Sequence, residues 1–167
     1  MYYRFGKAFY FLSVILFIFF LLYFYSALQE KVSYNFDDNG LSSEKLSKAT
    51  FFYGMIVIFI IMNVIVLLPP KLLETKNHKG LIRVFPIGDM FRDYYLGWFY
   101  SFGVILNMSL GMLVFYTHAI NNQEEIAASQ YSFFFYLIPG LFVVWVIGLF
   151  AILVGKFNQV KNKSWAD

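Results

Sequence analysis

The stretch AFYFLSVILFIFFLLYFYSAL, residues 8–28, contains no charged side chain. The hydrocarbon core of a bilayer is about 30 Å thick, and a helix that rises about 1.5 Å per residue needs about 20 apolar residues to cross it. The stretch therefore predicts a transmembrane helix, and this prediction sets the class of the whole protein.

A cleaved secretory signal is the alternative interpretation of this stretch, because Arg4 and Lys7 precede it. Its apolar run is longer than the about 7–15 residues of a signal peptide, and Tyr25 before Ala27 does not suit a small-x-small cleavage site. We expect the helix to be retained.

Three further apolar segments follow along the chain. Together with the first, they predict spans at residues 8–28, 50–68, 95–116 and 133–154, the second of which should stop at Pro69 and Pro70. Of the 167 residues, 60% are hydrophobic and only 14% are charged, against about 25% charged in soluble domains. We predict an all-α integral membrane protein with one four-helix transmembrane domain, residues 1–167, in contact with the lipid bilayer.

The positive charges are distributed unequally among the predicted loops. Ten lysines and arginines lie before the first span, in loop 69–94 or after the fourth span, and three lie in loops 29–49 and 117–132. Cytoplasmic segments carry the excess of Lys and Arg. Both termini and loop 69–94 are therefore predicted to be cytoplasmic, and loops 29–49 and 117–132 extracytoplasmic. In loop 69–94, Pro86 argues against one continuous amphipathic helix.

Small and polar residues in the spans predict where the helices pack. The candidate packing residues are Asn63, Gly103, Asn107 and Gly111, together with Gly148, Ala151 and Gly155. Because residues four apart share a helix face, they predict a tight contact between the third and fourth spans, with the two Asn side chains in interhelical hydrogen bonds. The pair Pro139-Gly140 predicts a kink, with a hinge at a substrate site as the alternative.

The sequence contains few residues that could form a catalytic, metal-binding or ion-conducting site. No Asp, Glu, Lys or Arg falls within the four predicted spans, which counts against a pump or a proton-coupled transporter. His78 and His118 are predicted on opposite sides of the bilayer; a cluster of His118 with Glu124 and Glu125 is weighed against an ordinary interfacial histidine, which is favoured. There is no cysteine and no nucleotide, zinc or nucleophile motif, so we expect no enzyme, no cofactor, no metal and no nucleic-acid partner.

The loop after the first span is polar but patterned. Hydrophobic residues alternate with polar ones as in an extended segment, turn-forming residues follow, and Ser43 or Ser47 can cap the next helix with Glu44 in its first turn. We predict a small structured cap between the first two helices. Its candidate recognition surface consists of Val32, Tyr34, Asn35, Phe36, Asp37, Asp38, Asn39 and Gly40.

Residues 8–70 resemble the SdpI-type bacterial membrane proteins and their N-terminal domain of unknown function. The matching positions after the first span are Leu28, Val32, Phe36, Gly40, Ser47 and Lys48, whereas Gln29 and Ser33 replace prolines of the family pattern and Asn35 replaces a histidine. The resemblance implies a recognition loop outside the cytoplasm, in a bacterial cytoplasmic membrane, and a sensing or immunity role toward a peptide or protein.

Two other functions stay open at this point. The chain could be a small transporter or channel component, with Asn63, Asn107 and the Pro139-Gly140 pair lining a path. It could also be an accessory subunit or a homo-oligomer that packs through the Gly103 and Gly148 faces.

Overall fold

A computed structural model describes residues 2–36, 42–75, 79–122 and 133–163. Its elements, in chain order, are α1 (Tyr2–Ala27), β1 (Lys31–Phe36), β2 (Ser42–Ser47), α2 (Lys48–Glu74), α3 (Lys79–Val84), α4 (Met90–Asn121) and α5 (Phe134–Lys163). Helices α1, α2, α4 and α5 are long and apolar enough to cross a membrane, which confirms the four predicted spans in number and type. The all-α prediction needs one correction, because β1 and β2 form an antiparallel sheet.

The helices are longer than the apolar segments that predicted them. Helix α2 continues through Pro69 and Pro70 to Glu74, so the two prolines do not end it. Proline removes a backbone donor, but such losses are tolerated in membrane helices when neighbouring groups compensate. Pro70 is one of the most deeply buried side chains of the protein, so packing against its ring offsets the missing hydrogen bond. Helix α3 ends at Val84, before Pro86, as predicted.

The chain divides into two compact units, and each long helix contributes to both. The first unit comprises Met1–Phe11, Asn63–Ile105 and Pro139–Asp167, and the second comprises Leu12–Met62 and Leu106–Ile138. The core of the first unit contains Leu73, Phe85 and Leu96. The core of the second contains Phe17, Leu21, Met55 and Val114.

The small residues of α4 face α1, which corrects the predicted contact with the fourth span. At Gly103 an added Cβ would lie 2.7 Å from Cδ2 of Tyr10, and at Gly111 it would lie 3.4 Å from Cδ2 of Phe20. Between them, Asn107 donates a hydrogen bond from Nδ2 to Oγ of Ser13 at 3.0 Å. The rings of Tyr10 and Phe20 therefore pack against the positions where α4 carries no side chain.

The small residues of α5 do face α4, but only in part. Gly148 lies next to the indole of Trp98, and an added Cβ at Gly155 would lie 2.7 Å from Cε1 of Phe91. Ala151 is exposed instead of packed. In its most apolar window α5 has no buried residue, whereas 39% of the corresponding window of α4 is buried. Helix α5 therefore keeps most of its apolar surface free of contacts within the described part of the chain.

Candidate functional site

The two strands form an antiparallel hairpin, described at residues 31–36 and 42–47, with a distorted register. Ser33 pairs with Lys45 and Asn35 with Glu44, so β1 contains one residue more than β2 over this step. The extra residue is Tyr34, which is therefore a β-bulge, and bulges redirect the side chains that they carry. The bulge breaks the predicted alternation: Val32 is completely buried, whereas Tyr34 is 50% exposed.

One side chain of α4 holds the hairpin by its backbone. Oδ1 of Asn121 accepts a hydrogen bond from the N–H of Ser33 at 2.8 Å, and Nδ2 of Asn121 donates to the carbonyl oxygen of Ser33 at 2.9 Å. The same Nδ2 also donates to the carbonyl oxygen of Thr117 within α4. The amide thus bonds both backbone groups of Ser33, as a neighbouring strand would, and fixes the outer edge of β1.

Tyr34, at 50% exposed, is more open than Leu46, the other large hydrophobic side chain that the described strands expose, at 37%. Hydrogen bonding to Glu44 on β2, desolvation and the charge of Glu44 raise the pKa of Tyr34 above its usual value. The phenol is therefore neutral at physiological pH. The predicted turn, Asp37, Asp38, Asn39 and Gly40, lies outside the described residues, as do the side chains of Asn35 and Phe36.

The hairpin passes directly into α2. Oγ of Ser47 accepts a hydrogen bond from the N–H of Thr50 at 3.0 Å, so Ser47 is the N-cap, one of the two candidates predicted for that role. Glu44 belongs to β2 and not to the first helical turn, which corrects the prediction. Helix α2 begins at Lys48, after Ser43 and Glu44, because strand β2 extends to Ser47.

Replacing Asn121 with Ala should release the hairpin without unfolding the helices. The variant loses both bonds to Ser33, and buried polar groups left without a partner cost about 1–3 kcal/mol. We expect faster hydrogen exchange in the peptide that covers residues 31–36, measured by mass spectrometry in detergent. The control is Asn122→Ala, since the amide of Asn122 contacts His118 and not the hairpin. Equal exchange in both variants would contradict the anchoring role.

The bonds formed by a set of charged side chains within the long helices were not predicted from the sequence. Glu74, the last residue of α2, accepts hydrogen bonds from Nζ of Lys7 at 3.1 Å and from the hydroxyl of Tyr100 at 2.9 Å. Arg92 is 9% exposed and donates to the carbonyl oxygens of Leu73 and Phe85. Because the last carbonyls of a helix lack intrahelical partners, Arg92 caps the C-terminal end of α2.

Asp89 and Lys156 form the most deeply buried ion pair of the described residues. Their side chains are 5% and 7% exposed, and Nζ of Lys156 donates to Oδ2 of Asp89. Oδ1 of Asp89 accepts the N–H of Phe91, so Asp89 is also the N-cap of α4. Gly88, with φ of 90°, precedes it in a turn closed by the N–H of Asp89 and the carbonyl of Pro86, a geometry that favours glycine.

The pKa of Asp89 has opposing causes. Burial would raise it, but the hydrogen bonds from Lys156 and the Phe91 N–H, with the charge of Lys156, outweigh burial and hold it below its usual value. A carboxylate whose pKa is lower in the folded state adds stability above the unfolded pKa of about 3.9 and loses it as the pH falls through the folded value.

The thermal unfolding midpoint should therefore fall as the pH is lowered from about 5 to 3, and less so for Asp89→Asn, which cannot titrate. The readout is the difference between the two proteins, because other carboxylates titrate in both. Parallel pH profiles would contradict the role assigned to the ionised Asp89.

The polar residues predicted to line a transport path are engaged elsewhere. Oδ1 of Asn63 accepts a hydrogen bond from the hydroxyl of Tyr10 at 2.7 Å, and Asn107 is bonded to Ser13. Pro139 and Gly140 are exposed on α5, where an added Cβ at Gly140 would meet no atom within 4 Å. Both amides are thus bonded to side chains of α1, and the proline and glycine are exposed.

The predicted cluster around His118 cannot be assembled from the described residues. The His118 ring contacts the Asn122 amide, and its centroid lies 4.9 Å from that of Phe24. His78, Glu124 and Glu125 lie outside the described residues. Within residues 2–36, 42–75, 79–122 and 133–163, no three side chains of the metal-binding types come together.

The fold and the hairpin define a multi-pass helical membrane protein with a β-hairpin between its first two long helices. No protein-family model, curated protein or solved structure matches the chain. The resemblance of residues 8–70 to the SdpI-type proteins therefore stays a prediction from the sequence.

Proposed function

We propose that this chain is a non-catalytic membrane protein that recognises a peptide or protein outside the cytoplasm through the hairpin Lys31–Ser47. The observation that carries the proposal is the way the hairpin is held. Asn121 bonds both backbone groups of Ser33, while the bulge leaves Tyr34 half exposed beside this anchor. A loop that is fixed at its base and open at an aromatic side chain loses little entropy when it binds a partner.

The location of the hairpin rests on the distribution of charge. Ten of the thirteen lysines and arginines lie in the segments assigned to the cytoplasm, and the hairpin lies in one of the other two loops. The resemblance to SdpI-type proteins supports the same orientation and a bacterial cytoplasmic membrane. A sensing or immunity role is the function that fits an external recognition element on a helix bundle.

The transport alternative has weaker support. The amides of Asn63 and Asn107 are bonded to Tyr10 and Ser13, which are structural contacts between helices. The buried charges Asp89 and Lys156 neutralise each other within one pair. Solute flux across liposomes that contain only this protein would favour transport over recognition.

Photo-crosslinking in living cells tests the recognition role. A benzophenone amino acid replaces Tyr34, and in a matched control it replaces Tyr53, an aromatic side chain of α2 that is 66% exposed. We expect a discrete crosslinked protein or peptide from position 34 and none from position 53. Identical patterns from both positions, or no adduct from position 34 in cells that make the full chain, would contradict the proposal.

A second candidate, an accessory subunit or homo-oligomer, is favoured by α5. The Gly103 face is already filled by the ring of Tyr10 of the same chain, so it does not offer a surface to a partner. Helix α5 instead offers exposed side chains such as Tyr136, which is 82% exposed. The same crosslinker at position 136 should then give an adduct with twice the mass of the chain, or one with a larger membrane protein.

A further inference from the structure

A groove runs between α4 and α5 in the first of the two compact units. Its volume is about 490 Å³, within the about 300–1,000 Å³ that is typical of small-molecule sites. The residues that shape it are Asp93, Gly97, Trp98, Val144, Trp145 and Gly148. At Gly148 an added Cβ would lie 3.8 Å from Nε1 of Trp98, so the missing side chain leaves space beside this indole.

The walls of the groove present apolar surfaces. Nε1 of Trp98 donates to the carbonyl oxygen of Trp145 at 2.7 Å, and Nε1 of Trp145 donates to Oγ of Ser101 at 3.0 Å. The hydroxyl of Ser101 in turn donates to the carbonyl oxygen of Trp98 at 2.9 Å. These bonds join α4 to α5 and use the polar atoms of both indoles. A ligand with many hydrogen-bonding groups would lose its own hydration without finding partners there.

We propose that this groove binds one acyl chain of a bilayer lipid. Both helices are long and apolar enough to cross a membrane, so the medium that adjoins a lateral groove between them is lipid. A helix of a second protein is about 10 Å wide, and a cylinder of that width with the volume of the groove is only about 6 Å long, about one helical turn. An alkyl chain carries no hydrogen-bonding groups, so it can lie against the apolar walls without the desolvation cost of a polar ligand.

The direction of the lipid follows from the polar residues. Asp93 lies in the first turn of α4 and lines one part of the groove, whereas Val144 and the two tryptophans line the apolar part. The polar headgroup therefore lies beside Asp93, and the acyl chain extends along Trp98 toward Ser101. Tryptophan is also the side chain that favours the boundary between headgroups and hydrocarbon.

The test uses the fluorescence of the two groove tryptophans in full-length protein that carries Trp165→Phe. The protein is held in detergent micelles and titrated with phosphatidylcholine brominated on its acyl chains, which is the quencher. Val144→Phe fills the groove, and Val143→Phe is the matched control, because the two neighbouring valines are 58% and 59% exposed and only Val144 lines the groove. Ile152→Phe is a second groove-filling variant.

We expect half-maximal quenching at a low fraction of brominated lipid in the Trp165→Phe protein and in the Val143→Phe variant. In each groove-filling variant this fraction should rise about tenfold, because the added ring occupies the volume of the alkyl chain. The same low fraction in all variants, or quenching in the unfilled protein that rises in proportion to the lipid fraction of the micelles without saturation, would overturn the proposal. Unfolding midpoints of the variants, measured in parallel, identify any loss of fold.

Discussion

Replacing Asp89 with Ala is expected to lower the free energy of unfolding by about 3–5 kcal/mol, the usual cost of removing one partner of a buried ion pair. The carboxylate is buried against Lys156, and the variant leaves the ammonium group in a site with too little water to solvate it. It also removes the N-cap bond to the N–H of Phe91. Equilibrium unfolding in detergent micelles, by a titration with denaturant, measures the loss.

Two further variants separate the cap from the charge. Asp89→Asn keeps a side chain that caps helices well, so it should recover about 1 kcal/mol of the loss while Lys156 stays without a counter-charge. The double variant Asp89→Asn with Lys156→Met removes the stranded charge, and it should be more stable than Asp89→Asn alone. A stability of Asp89→Ala within about 0.5 kcal/mol of the natural chain would contradict the buried pair.

Replacing Gly103 with Ala is expected to cost about 1–3 kcal/mol, as overpacking of a filled core does. The new methyl group would lie 2.7 Å from Cδ2 and 2.9 Å from Cε2 of Tyr10. The ring of Tyr10 cannot simply move aside, because it is 5% exposed and its hydroxyl is bonded to Asn63. Thermal unfolding in detergent measures the effect.

Gly148→Ala is the matched control on the other helix. Its added Cβ would lie 3.8 Å from Nε1 of Trp98, an ordinary contact. Since Ala favours a helix over Gly by about 1 kcal/mol, this variant should be unchanged or slightly more stable. Equal destabilisation by the two substitutions would mean that the close approach of Tyr10 to Gly103 is not what makes position 103 sensitive.

The number and type of the helices could be predicted from the sequence because the apolar segments are long and strongly patterned. The residues at which the helices end could not be predicted in the same way. The second predicted span stopped at the first proline, whereas α2 continues through Pro69 to Glu74, and Glu74 is bonded to Lys7 and Tyr100. A charge that has a partner on another helix can remain inside a helix, and that partner is invisible in a local stretch of sequence.

The sequence also could not predict which helix packs against a face of small residues. The spacing of Gly103 and Gly111 shows that they share a face, but not which helix faces them. The deciding features are Tyr10 and Phe20 on α1, whose rings fill the two gaps.

The presence of an ordered segment between the first two long helices could be predicted from the sequence, but the details of the hairpin could not. Alternating residues and turn chemistry predicted an ordered cap, and the structure forms two paired strands there. The bulge at Tyr34 and the bonds from Asn121 were not predictable, because a bulge needs the register of both strands and Asn121 is 88 residues away from Ser33. These two features are the ones that make the hairpin a candidate recognition element.

Labelling of single cysteines in intact cells tests most directly whether this hairpin is presented outside the cytoplasm. The chain has no cysteine, so Tyr34→Cys on the hairpin and Arg83→Cys on α3 can each be introduced as the sole thiol. The proposed orientation predicts that a membrane-impermeant maleimide labels position 34 in intact cells and position 83 only after the membrane is permeabilised. Labelling of position 83 in intact cells, with position 34 protected until permeabilisation, would contradict it.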